Sequence, residues 1–126
     1  MKIRCVSQSI RIRVRRSELS QLMADIHLEE VLDFGPNSLT YRLSVAKKME
    51  KPTVTYDIGL LSVSIPSALA KTWGESNQVG IEYHLEINPG QNLHLLIEKD
   101  FPCQTRPDEP KEDFFSDLQQ QEPESC

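Results

Sequence analysis

The sequence has 126 residues, with 14 Lys and Arg against 19 Asp and Glu for a formal net charge of −5. That length suits one core rather than two, no apolar run approaches the roughly 18–20 residues of a membrane helix, and the N-terminus lacks the apolar stretch of a signal peptide. The charge is uneven: residues 1–16 hold six basic side chains and no acid, 17–99 hold six against eleven acids, and 100–126 hold two against eight.

In chain order, residues 2–6 and 10–14 alternate apolar and basic, the period-two signature of strands with one buried face. Ile3 and Cys5, then Ile10, Ile12 and Val14, form the expected buried face, so Cys5 reads as a small core residue. Ser17 is the expected N-cap of a helix marked by Leu19, Leu22, Met23 and Ile26. Leu28–Phe34 reads as a strand, Gly35-Pro36-Asn37 as a turn, and Leu39, Tyr41, Leu43 and Val45 as an alternating strand.

The order then recurs. Val54, Tyr56 and Ile58 precede a turn at Asp57–Gly59, and Leu61, Val63 and Ile65 alternate. Pro66 suits a first helical position, Leu69, Ala70 and Trp73 mark an apolar side, and Gly74 ends the helix. Val79–Ile87 and Leu93–Lys99 form a hairpin across Asn88–Asn92. Both halves, 1–46 and 53–99, therefore read strand-strand-helix-strand-strand. Ile10, Ile12, Val14, Ser17 and Leu19 align with Leu61, Val63, Ile65, Ser67 and Leu69 if Arg15-Arg16 stands opposite Pro66 with one deletion. An internal duplication and a plain α+β sheet without a repeat both satisfy this pattern.

From Asp100 onward, prolines and acids replace the alternation, and such a composition cannot offset the entropy of ordering a chain. A disordered acidic tail is expected, with Phe114, Phe115 and Leu118 as a short anchor for a groove on a partner or on the domain itself. The three cysteines have no metal-ligand spacing and make no disulfide framework, which suits a reducing cytoplasm.

Two constellations carry candidate chemistry. Arg11, Arg13 and Arg15 fall on one strand face with Lys2 and Arg4 nearby, a row suited to an anionic partner or simply a solvated face. No aromatic residue interleaves with them, so nucleic acid is weakly supported. On the last hairpin, pairing Ile87 with Leu93 sets Ile81, Tyr83, Leu85, Ile87, Leu93, Leu95 and Ile97 on the core side. The other side collects Glu82, His84, Glu86, His94 and Glu98, with Glu86 facing His94. His84, Glu86 and His94 are candidate metal ligands. An ordinary solvated face, or pairing of these acids with the arginines, are the alternatives. There is no catalytic set: no nucleophile motif accompanies the histidines, and no Walker or dinucleotide glycine pattern implies a cofactor.

Two resemblances follow from particular segments. Gly59–Leu69, running through Trp73-Gly74 to Val79 and Ile81, resembles the AbrB/MazE-type swapped-hairpin proteins. That resemblance implies a dimer-like fold, DNA binding through basic residues, and, in the antitoxins, an acidic tail that engages a protein. Lys2-Ile3-Arg4, Ser9–Arg13, Ser17-Glu18, Gln78–Glu82 and Ile97–Cys103 resemble a family of short bacterial proteins of unknown function over nearly the whole chain. It implies a cytoplasmic bacterial protein and supplies no activity. The expectation is thus a mainly β, α+β domain over 1–99, with antiparallel sheets and two short helices. Its function is expected to be a non-enzymatic binding or regulatory module, with a protein partner or self-association and no membrane. A small metal protein or enzyme on the last hairpin is the alternative.

Overall fold

Eight strands and two helices account for most of residues 1–101, which are the residues the computed structural model describes. The expectations for the tail, including Phe114, Phe115, Leu118, Cys103 and Cys126, lie outside the described residues. β1 (Lys2–Val6) and β2 (Ser9–Val14) form a hairpin, α1 (Arg16–Met23) follows, and β3 (Leu28–Asp33) pairs with β4 (Ser38–Ala46). The second half repeats the order with β5 (Thr53–Asp57), β6 (Leu60–Pro66), α2 (Ser67–Gly74), β7 (Gly80–Asn88) and β8 (Gln91–Lys99).

The hairpins are exchanged between halves. One sheet, A, runs β1-β2-β8-β7 and the other, B, runs β3-β4-β6-β5. Each sheet therefore joins one hairpin from each half. The chain is α+β and mainly β, but the sheets are mixed. The expected antiparallel pairing holds within hairpins, whereas the central pairs β2/β8 and β4/β6 are parallel. Parallel neighbours need a long connection: residues 15–90 link β2 to β8, and residues 47–59, which carry β5, link β4 to β6.

Alternation puts one row of each sheet inside. Ile3, Ile12, Ile97 and Ile81 are register partners across sheet A, as Leu28, Leu43, Val63 and Val54 are across sheet B. With Leu22 of α1 and Trp73 of α2, these residues belong to one apolar cluster drawn from both sheets and both helices. Trp73 is fully buried, and its Nε1–H donates to the Val79 carbonyl at 3.0 Å, which satisfies the indole's polar atom.

The two strand-to-helix junctions run in step, without the expected deletion. Arg15 and Pro66 are the N-caps, and each helix is eight residues long. Counting from the caps, Val14 matches Ile65, Ile12 matches Val63, and Leu22 matches Trp73; all six are buried. Ser17 is not the cap, because Glu18 reaches back to accept the Arg15 N–H at 2.9 Å, fixing the helix start earlier. Pro66 caps α2 rather than opening its first turn. Gly74 ends α2 against the Met23 side chain, which would have to shift to admit a Cβ there.

Cys5 is exposed rather than a core residue. It lies on the edge strand β1, whose main neighbour is β2, so alternation alone does not cover its end.

Candidate functional site

The outward rows of sheet A gather most of the residues that the sequence singles out. One row runs Lys2, Arg13, Glu98, Gly80; the next runs Arg4, Arg11, Leu96, Glu82; the third runs Val6, Ser9, His94, His84. Lys2 thus opposes Arg13, and Arg4 opposes Arg11. Like charges directly opposite on adjacent strands destabilise a sheet, and acids from the end of the chain's second half counter this. Glu98 lies 2.9 Å from Arg13 Nε and 3.5 Å from Arg11 Nε, while Asp100 lies 3.1 Å from Lys2 Nζ. The arginines and the acidic hairpin therefore meet within one sheet, because β2 and β8 are neighbours. Arg15 leaves the row: β2 ends at Val14, and the Arg15 Nε contacts Glu18 at 3.4 Å.

A shallow depression borders this surface, lined by Arg4, Val6, Ser9, Arg11, His94 and Leu96. No local pattern in the sequence signals it, since it needs β1, β2 and β8 to lie side by side. Only the parallel β2/β8 pair puts His94 next to Ser9.

The last hairpin departs from the expected register. Its turn is Pro89-Gly90, with Asn88 opposite Gln91, so His84 faces His94, Glu82 faces Leu96 and Glu86 faces Asn92. Pro-Gly favours a type II turn, and Gly90 has the positive φ of +77° that its third position needs. The twist of that turn fits a hairpin poorly, and a bulge between Glu86 and Asn88 accommodates it. Ile87 sits at the bulge and is exposed, not part of the core. A shift of two residues keeps every other side chain on its expected face while changing its partner. Glu86 therefore leaves the candidate metal set and Glu82 enters it.

His84 and His94 stack with ring centroids 4.6 Å apart and planes 10° from parallel. Glu82 Oε1 lies 2.9 Å from His94 Nε2 and 3.8 Å from His84 Nε2. The donor atoms of the three residues fall within 4.8 Å of one another. The Pro89-Gly90 pair in the sequence was the signal that could have found this arrangement, had a two-residue turn been preferred to a five-residue one.

A second charged centre sits at the start of α1. Glu18 is buried and bonded to the Met1 amino group, with Glu30 3.7 Å from the same amine. Burial opposes its ionisation, but hydrogen bonds from the amine and the Arg15 N–H, with the amine's charge, outweigh it and hold the carboxyl below its ordinary pKa. Tyr41 is pushed up by burial and by the nearby charges of Glu30 and Glu18. Neither group lies on the outward face of sheet A.

A family model covers residues 1–119, described as a family of unknown function, DUF7009, and the chain belongs to that family. No curated protein and no solved structure matches the chain.

Proposed function

We propose that this protein is a non-enzymatic binding module whose outward face on sheet A engages an acidic protein surface. One observation carries the reading. Matched from the helix caps and the register, sheet B has Thr53, Thr55, Ser62 and Ser64 where sheet A has Lys2, Arg4, Arg11 and Arg13. The scaffold builds the same hairpin with four neutral residues, so it does not require four cations. Four cations held on one face where the matched face is neutral are the pattern expected where charge serves an encounter with a partner. Arg is suited to carboxylates because its planar donors meet both oxygens.

The test is capture of partners from native lysate on the immobilised full chain, with and without nuclease and across a sodium chloride series. The reading predicts a retained protein that elutes as salt rises and that survives nuclease. Retention lost on nuclease treatment would point to nucleic acid instead. Absence of any salt-sensitive partner contradicts the proposal.

A further inference from the structure

We propose that Glu82, His84 and His94 form a binding site for a divalent first-row transition cation, represented by zinc. The site stands beside the arginine face, does not depend on it, and rests on separate observations. The first is convergence. His84 and His94 are direct register partners on β7 and β8, and both Nε2 atoms approach the same Glu82 oxygen, at 3.8 and 2.9 Å. Zinc bonded to nitrogen at about 2.0–2.1 Å in a tetrahedron sets its donors roughly 3.3 Å apart, between those two distances.

The second observation is orientation. The two rings stack with their planes 10° from parallel, so their in-plane lone pairs do not yet meet, and binding one ion turns the exposed rings out of the stack toward the Glu82 oxygen they share. The two imidazoles and one carboxylate are a donor set that suits zinc, nickel or copper and not magnesium or calcium, which prefer oxygen. Side-chain exposures of 64% for His84, 58% for Glu82 and 36% for His94 leave the cation open to solvent on one side. Ser9, beside His94 on β2, donates its hydroxyl to the Val6 carbonyl and is not poised as a further ligand. Water therefore fills the remaining position. Arg11, the nearest row's cation on β2, is drawn toward Glu98 at 3.5 Å rather than into the site. Zinc at His94 Nε2 requires the Nδ1–H tautomer, so the neutral ring binds by carrying its one hydrogen on Nδ1, with no net proton released.

The experiment uses the full chain without a polyhistidine tag, with Cys5, Cys103 and Cys126 changed to Ser so that thiols do not compete. Zinc chloride is titrated by calorimetry and the thermal midpoint is followed in parallel. The expected result is one saturable zinc per chain and a raised midpoint, with no response to magnesium chloride. His84→Ala or His94→Ala should weaken zinc by at least about tenfold, since even lost outer partners cost that much. Glu82→Gln should weaken it less, and Glu86→Gln should leave it unchanged. Circular dichroism of each metal-free variant checks that the fold is retained. Lack of saturable uptake, or uptake that survives both histidine variants, overturns the site, as does dependence on Glu86 instead of Glu82.

Discussion

On the outward face of sheet A, the central parallel strands set Arg13 beside Glu98 at 2.9 Å. At the matching place in sheet B, Ser44 sits beside Ser64 with their hydroxyls 3.2 Å apart. The same comparison extends outward: His84 and His94 in sheet A correspond by register to Val31 and Thr40 in sheet B. Inside, the matched positions agree in kind, with Ile12 and Val63, Ile97 and Leu43, and Ile81 and Leu28 all buried. Packing thus makes the same demand of both sheets, whereas the charged and imidazole side chains are concentrated on one outer face. That contrast is the reason to look for function on sheet A.

The largest effects should come where the halves are alike. Trp73→Ala is expected to cost about 3–5 kcal/mol and Leu22→Ala about 2–5 kcal/mol, measured by urea unfolding. Because each sheet contains a hairpin from each half, both variants should lower the midpoint of one shared transition. Two separate transitions would break the picture of one exchanged core.

Next come the unlike positions. Glu98→Gln removes the acid that holds Arg11 and Arg13, and a part-buried charged hydrogen bond is worth about 1.5–3 kcal/mol. Its neutral counterpart, Ser44→Ala, should cost only about 0.5–1.5 kcal/mol. Equal costs would mean that the ion pair adds nothing beyond a hydroxyl pair.

Glu18 sharpens the comparison through pH, because its counterpart on α2 is the apolar Leu69. Its folded-state pKa is lowered, so its contribution is present above the unfolded value and is lost as pH falls through the folded one. Glu18→Gln should therefore cost roughly 1–3 kcal/mol near neutrality. The gap from the wild-type chain should close as pH falls below the ordinary carboxylate range. A gap that widens in acid would contradict the assigned direction.

Much of this was legible in the sequence. Alternation gave the strands, and the twice-repeated element order was visible in the apolar spacing of Ile10, Ile12 and Val14 against Leu61, Val63 and Ile65. What alternation could not give is which strand lies beside which. The parallel contact of β2 with β8 brings Arg13 to Glu98 across 85 positions of chain, and no local signal encodes it. The hairpin register failed for a different reason. A face is set by parity, which survives a two-residue shift, but a ligand set is fixed by partner, which does not. Hence His84 and His94 do lie together, but beside Glu82 and not beside Glu86. Cys5 shows the same limit in burial: its parity is inward, but its strand is an edge.

The smallest effect on stability is expected from the most informative variant. Arg4→Thr with Arg11→Ser gives sheet A the residues that sheet B carries at Thr55 and Ser62. Capture of the salt-sensitive protein partner, measured beside a thermal melt, should be lost while the melting transition stays near that of the wild-type chain. Partner capture that persists with those two arginines gone would contradict the claim that this face of sheet A is where the protein binds.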